Sequence, residues 1–342
     1  MVSGPGRIER TLVERRSGPE GRLDWSDVLA RPDPSLTISA VVVSYRTGPA
    51  LTDCLFALAG DPDIAEIIVV DNGNPPETVR TLEALAACET RLKLTGGGVN
   101  RGFAAGVNEG VRMSSGNRVL IINPDAILRR GSLAALEAAR SQGAEPMIVG
   151  GRIYGPDGVE QRGARRHRLT WGAAAGTFLG LSRFGLHPSI RNINRNEEPL
   201  PAGSEPMGAV SGALMYLSRS GFDRLGGFDE GYFLHVEDLD LCRRAEMEGG
   251  SVIFAPQAGA LHYGATSEAT SRDVERHKAR GLARYFRKFA RPGGEALAAA
   301  VLTPFFEPLL QIRRSIAEIL RSGNADPGDM GAASDRTFSS RV

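Results

Sequence analysis

The run Val119-Leu120-Ile121-Ile122, closed by Asn123-Pro124-Asp125, sets the tightest limit on what this chain can fold into. Four consecutive apolar residues, three of them β-branched, fit a strand covered on both faces, as at the centre of a parallel sheet. Pro124 lacks a backbone donor and ends the ladder. Asp125 is thereby delivered to the carboxyl end of a central strand, which is where open α/β sheets bind ligands. A carboxylate there can hold a divalent cation that in turn holds a phosphate. Taken alone, such an Asp is better explained as a cap on the next segment; its neighbours reverse that preference.

The preceding residues repeat the same kind of strand. Leu36–Ser44 is β-branched around Val41-Val42-Val43, and Ile64–Val70 runs into Asp71. Arg91–Thr95 predicts a short third strand. Apolar residues at helical spacing predict helices over Ala50–Ala59, Thr78–Ala87 and Phe103–Met113. Strands alternating with helices in this way predict a single doubly wound, mostly parallel sheet with flanking helices, an α/β fold. The glycine cluster Gly96–Gly102 does not fit G-x-G-x-x-G, which excludes a dinucleotide-binding Rossmann domain.

The second half is less periodic. Strands are expected over Met147–Tyr154, Ala209–Leu217 and Ser251–Ala255, the last ended by Pro256. Arg162–Arg168 reads as a basic loop, and Trp171–Asn196 is Gly-rich without a clear period. Phe222–Gly226 predicts a helical turn. Glu237–Gly249 predicts a helix with its acids at the start, where the dipole favours them. Thr270–Phe289 predicts a basic helix, and Ala296–Leu320 a helix broken near Pro304 and Pro308. Residues 1–36 read as a weakly ordered tail and 321–342 as a disordered one. Between them lie a domain over 37–270, with a nucleotide-binding half to residue 125 and an acceptor half from 126, and C-terminal helices over 271–320.

Composition narrows the function classes. The formal net charge of the 342 residues is +1, so no global field points to nucleic acid. The three cysteines lack metal-site spacing, which fits reduced thiols in the cytoplasm. The first residues carry no secretory signal, and no stretch reaches the 18 uninterrupted apolar residues of a simple membrane span. What remains is a set of acids at strand and helix ends: Asp71, Asp125 and the pair Glu237-Asp238. Asp71 and Asp125 should converge at one end of the sheet. Asp238 follows the aromatic stretch Tyr232-Phe233-Leu234-His235-Val236, which suits a desolvated general base; an ordinary acidic helix start is the competing reading. His262, after another strand, could complete a cation's coordination sphere.

The order of these segments resembles the inverting GT-A glycosyltransferases of family 2, especially the bacterial rhamnosyltransferase-like branch. The resemblance covers about residues 38–268. It rests on V-V-V-S-Y-R (41–46), I-I-V-V-D-N-G (67–73), N-R-G-F-A-A-G-V-N-E-G (100–110), N-P-D (123–125), V-S-G-A-L-M (210–215), the segment from Gly226 to Arg244 and L-H-Y-G-A-T-S (261–267). It implies a GT-A fold and a nucleotide sugar held by Ser44, Tyr45, Arg46, Asp71, Asn100, Gly102, Phe103, Asn108, Asn123 and Asp125. It implies Mn²⁺ or Mg²⁺ on Asp125 and His262, Asp238 as the base, and Ser211, Gly212 and Glu237 on the acceptor side. Gly102 and Gly106 would let backbone approach the ligand. Asn123 stands where many relatives carry an acid, leaving the cation one formal charge fewer nearby.

The implied reaction moves a sugar, L-rhamnose from dTDP-L-rhamnose before UDP-sugars such as UDP-galactofuranose, to a hydroxyl of a cell-envelope glycan or lipid-linked acceptor. A catalytically silent nucleotide-sugar-binding module and a nucleotidyltransferase are the other classes; Ser44–Gly48 matches the phosphate loop of the latter poorly. For the basic, apolar helices after residue 270, two uses stay open: a peripheral seat on the inner face of the membrane, or packing on the domain or in a homo-oligomer.

Overall fold

The computed structural model describes residues 35–178, 180–264 and 271–323. The nucleotide half contains β1 (Ile38–Ser44), α1 (Ala50–Ala59), β2 (Ile64–Asp71), α2 (Pro76–Cys88), β3 (Leu92–Thr95), α3 (Phe103–Met113) and β4 (Arg118–Ile122). After it come β5 (Ala126–Leu128), α4 (Ser132–Ala139), β6 (Met147–Tyr154), β7 (Arg165–Arg166), α5 (Trp171–Phe178), β8 (Glu205–Pro206), β9 (Ala209–Val210), β10 (Leu214–Ser218), α6 (Arg219–Arg224), α7 (Glu237–Met247) and β11 (Ser251–His262). The C-terminal helices are α8 (Ser271–Phe289), α9 (Gly294–Leu302) and α10 (Phe306–Gly323).

The main sheet runs β3-β2-β1-β4-β10-β6-β11-β5, with β8 on β11, and β7 pairs β9 apart from it. Strands β3, β2, β1 and β4 are parallel, as expected from their unbroken apolar runs. Strand β10 then enters antiparallel between β4 and β6, which makes the sheet mixed. Val119 to Ile122 are fully buried at its centre. Strands β2 and β4 both pair with β1, so Asp71 and Asp125 emerge at the same carboxyl end with one strand between them.

Side chains alternate across the sheet. Val41, Val43, Ile68, Val70, Val119 and Ile121 share one core with α3, α7 and α8. Each such buried aliphatic side chain is worth about 1.5–3 kcal/mol against exposure. Helix α3 lies close on β1 because a Cβ at Gly106 would come within 2.6 Å of Val43. Gly106 therefore serves packing, not ligand approach.

Four expectations change. Strand β11 does not stop at Pro256; it continues to His262 through a register shift between Ala255 and Gly259, where a residue without a backbone donor is tolerated. Ala209–Leu217 is two strands, β9 and β10, parted by the turn Ser211-Gly212-Ala213, in which Leu214 N donates to Ser211 O. The helical turn expected at Phe222–Gly226 is α6, which starts three residues earlier, ends two earlier and is capped by Ser218 Oγ. The C-terminal break is a 3₁₀ turn over Thr303–Phe305; Pro308 lies in the first turn of α10, where its missing donor costs nothing, and that helix reaches Gly323. The tail expected at 1–36 falls outside the described residues except for Ser35 and Leu36, as does the C-terminal tail beyond residue 323.

Candidate active site

The carboxyl ends of β1 and β2 build one wall. Asp71 Oδ1 accepts from Gly73 N at 3.1 Å, Asn74 N at 2.8 Å and Asn74 Nδ2 at 2.9 Å. Asn74 in turn holds Ser44 Oγ at 3.0 Å and Arg46 N at 2.8 Å. A Cβ at Gly73 would lie 3.5 Å from the Tyr45 ring and 3.4 Å from Asn100 N, and one at Gly98 3.8 Å from Asp71 Oδ2. Ser44, Tyr45, Arg46, Asp71 and Asn100 are thus one cluster. Asn72, buried and missed in the sequence reading, ties it together: Nδ2 donates to Asn100 Oδ1 at 3.1 Å, and Oδ1 accepts from Arg101 N at 2.9 Å. A hollow of about 390 Å³ beside α1 and α2 shares only Arg46 with this wall.

Two donor-side residues act differently from expectation. Asn108 gives Nδ2 to Phe228 O at 2.8 Å and to Glu230 Oε1 at 3.0 Å, and takes Phe228 N on Oδ1 at 2.8 Å. It positions the 226–236 loop, with both amide atoms engaged there. Gly102, at φ +88°, would put a Cβ 2.5 Å from Phe233 O, and Phe103 N donates to that same oxygen at 2.9 Å. The close approach there is by backbone of the 226–236 loop rather than by a ligand.

The second wall is the turn after β4. Asp125 is buried, and its Oδ1 lies 3.1 Å from His262 Nε2. Asn123 Nδ2 is 3.2 Å from the same nitrogen. Gln161 Nε2 donates to His262 O at 2.7 Å, which orients its amide so that Oε1 faces His262 Nδ1 at 2.7 Å. The proton of a neutral ring therefore sits on Nδ1, and the Nε2 lone pair points toward Asp125. The Asn123 amide can donate to that lone pair, and a cation between Nε2 and Asp125 would take its place. The donor set fits a hard divalent ion that takes its other ligands from phosphate and water. A ligand histidine fixed through its other nitrogen is the usual support for such a site. Among the described residues no group of three or more His, Cys, Asp or Glu forms a closed metal cage. Cys54 Sγ reaches Asn123 O at 3.5 Å, and burial and the Asp125 charge raise its thiol pKa, so it stays protonated. All three cysteines are free thiols.

The third wall carries Glu237 and Asp238 at the start of α7. It is entered through His235 and Val236, both left-handed at φ 67° and 75°, a conformation that costs a β-branched residue energy and marks an over-determined loop. Asp238 Oδ2 lies 2.6 Å from Arg166 Nη2 and accepts from Gly212 N at 3.2 Å; Oδ1 accepts from Leu239 N at 2.8 Å. Both side chains of the ion pair are 12 % exposed. Burial alone would raise Asp238, but the Arg166 guanidinium and the two N–H groups override it and hold the carboxyl below its ordinary range. Glu237 goes the other way: burial, then the Asp238 charge, raises it to about 8. Its Oε2 is buried with no hydrogen-bond partner among the described residues. Two adjacent carboxyls are thus split into an anion and an acid, the usual mark of divided acid–base roles.

The second and third walls meet at Gly212. A Cβ there would be 3.3 Å from Phe103 and 3.7 Å from Asp238, and the next residue, Ala213, accepts Asn123 N on its carbonyl at 3.1 Å. Ser211 closes the same turn, Oγ accepting Ala213 N at 3.1 Å. The structure therefore brings Phe103, Ser211, Gly212, Glu237, Asp238 and the Asn123–Asp125 turn to one place. Arg166 and Gln161 were not among the expected site residues. The basic loop around Arg166 was visible, but nothing local tied it to Asp238.

Comparison with known proteins follows the same lines. The model of the family "Glycosyl transferase family 2" matches residues 39–224. N-acetylglucosaminyl-diphospho-decaprenol L-rhamnosyltransferase of Mycobacterium tuberculosis is 30% identical over 263 residues, 71% of this chain and 80% of that one. Low-salt glycan biosynthesis hexosyltransferase Agl10 of Haloferax volcanii is 24% identical over 229 residues, 66% of each chain. The crystal structure of GalNAc-T7 with UDP, GalNAc and Mn²⁺ superposes with a TM-score of 0.55 at 16% identity, over 84% of this chain and 58% of that one, and shares the fold.

Proposed function

Because the chain belongs to glycosyl transferase family 2, we propose that it moves L-rhamnose from dTDP-L-rhamnose to a hydroxyl of a lipid-linked or cell-envelope glycan, with inversion. The observation that carries the chemistry is the convergence at Gly212, whose N–H donates to the ionised, buried Asp238 and whose neighbour Ala213 holds the Asn123–Asp125 turn that bears the Asp125–His262 pair. The Mycobacterium tuberculosis relative, named for rhamnosyl transfer to a diphospho-decaprenol-linked N-acetylglucosamine, supports both the sugar and the class of acceptor. A lipid-linked acceptor would place the reaction at the inner face of the cell membrane.

The residues divide the work by charge. Asp71, Tyr45 and Asn100 form the edge for base and ribose, with Ser44 and Arg46 beside them. The acceptor hydroxyl attacks the anomeric carbon from the face opposite the diphosphate. Asp238 takes its proton, because it is the carboxylate already ionised at neutral pH; Glu237 holds its own proton and cannot. Arg166 keeps Asp238 oriented and anionic until a hydroxyl shares it. Asp125 and His262 would hold Mn²⁺ or Mg²⁺, which when bound supplies Lewis-acid neutralisation of the leaving diphosphate.

The test is a panel of nucleotide sugars with Mn²⁺ or Mg²⁺, read first by thermal shift and then by nucleotide release in the presence of acceptor. At a hundred times its Kd the true donor stabilises by ~2.7 kcal/mol, a clear rise in Tm. dTDP-L-rhamnose should give the largest rise. A larger rise with UDP-galactofuranose would replace the donor, and a rise without release on any acceptor would make the chain a binding module.

A further inference from the structure

The C-terminal helices do two things at once. Their inner side is core: Ala299, Thr303 and Leu310 are buried, and Phe306 packs on Phe286 and Trp171 with ring centroids 5.8 and 6.2 Å away. Their outer side is an apolar stripe in the open. Leu297, Val301, Phe305, Leu309, Ile312 and Ile316 recur every three or four residues, and each is between 44% and 67% exposed. Contiguous exposed apolar faces of this kind mark contact sites. The stripe follows a helical path of roughly 30 Å.

The surrounding charge says what covers it. Residues 271–316 hold ten Lys and Arg against four Asp and Glu, while the whole chain is balanced to within one charge. Arg272, Arg276, Arg280, Arg287, Lys288, Arg291 and Arg313 are exposed. A second copy would bring like charge against like charge, whereas an anionic lipid surface is complementary to both the stripe and the basic helices.

We propose that α9 and α10 lie in the headgroup layer of an anionic membrane, apolar stripe down. Gly294–Ile316 is long and apolar enough to cross a bilayer by length and composition, but the fold argues for lying on it. The path is broken at Thr303–Phe305, Ala299, Thr303 and Leu310 anchor it to the protein along one side, and Glu307 near its middle is paired with Arg276 at 3.0 Å and Arg280 at 3.6 Å. The seat reaches the chemistry through α8. A Cβ at Gly281 would be 2.9 Å from His235 O and 3.1 Å from Val236 Cβ, and His277 stacks on Phe233 at 4.4 Å. Helix α8, on which α9 and α10 pack, thus backs directly onto the loop that presents Asp238. This deepens the proposal of a lipid-linked acceptor but does not need it to be tested.

The experiment is co-sedimentation of the full chain with phosphatidylcholine vesicles, with and without phosphatidylglycerol, at low and high salt. The vesicles contain no glycan acceptor, so failure of the acceptor reading cannot affect the result. The full chain should pellet with anionic vesicles at low salt, less so at high salt, and carbonate at high pH should release it. The triple variant Val301→Glu/Phe305→Glu/Ile312→Glu changes only exposed positions, so its melting temperature should hold. Its partitioning should fall by about tenfold or more, with transfer to a short soluble acceptor unchanged. A full chain that stays in the supernatant, or one that resists carbonate as an integral protein, overturns the proposal. So does a vesicle-free dimer that the triple variant dissociates.

Discussion

Asp125 and Asp238 are both buried carboxylates on one cleft, and each faces one basic side chain, at 3.1 and 2.6 Å. The partners differ in what they can give up. Gln161 holds His262 in the tautomer whose Nε2 lone pair faces Asp125 and the Asn123 amide, a lone pair that a cation can take over. Arg166 stays protonated at any working pH, so it stabilises the Asp238 anion and never frees the site for a metal. Two carboxylate–base pairs thus differ in what they can take up: one can admit a cation, the other fixes an anion. Lone-pair direction and the fixed charge of the partner decide which is which.

Exchanging the chemistry of either side should expose the difference. Asp238→Asn keeps shape and hydrogen bonding but cannot take a proton. Turnover should fall by about two to four orders of magnitude while donor affinity, read by thermal shift, barely moves. Equal loss of both would put Asp238 on the donor side. Chelation with EDTA acts on the other end: activity should drop by about a hundredfold or more and return with Mn²⁺ or Mg²⁺, while the Asp238 variant's residual rate responds in proportion. Full activity in excess EDTA would leave Asp125 and His262 as lining residues only.

Arg166→Gln is the subtler change. Without the guanidinium, burial is left to act on Asp238 and its pKa rises. Activity needs the anion, so the acidic limb of the kcat/KM profile should move to higher pH, with the largest loss at low pH and the smallest at high pH. Arg166→Lys, which restores a charge without the fork, should move the limb partway back. A uniform loss across pH would reduce Arg166 to a structural strut.

How much of this could be read from the chain follows the same division. On the donor side the signals are local. Ala50–Ala59, Phe103–Met113 and Arg118–Ile122 fold over the bounds their periodicity predicts, and Asp71 and Asp125 stand at their strand ends as expected. Around both buried carboxylates the deciding partners are distant. Arg166 meets Asp238 across 72 residues, and Gln161 meets His262 across 101. No spacing rule connects such pairs. Strand β11 passing Pro256 is another case, since the register shift that admits the proline depends on its neighbour β6. Asn108 shows the reverse error: it sits in a motif-like segment, yet tertiary contact with Phe228 commits its amide elsewhere. The C-terminal helices were legible as helices, but only the packed structure shows that one face is core and the other open.

The proposed reaction is a single displacement, with Asp238 accepting the proton on one side and the diphosphate leaving on the other. The anomeric configuration of the product, read by NMR against that of the nucleotide sugar consumed, tests it most directly. A single displacement gives clean inversion at that carbon. Retention would require a covalent intermediate or a same-face reaction, and would contradict it.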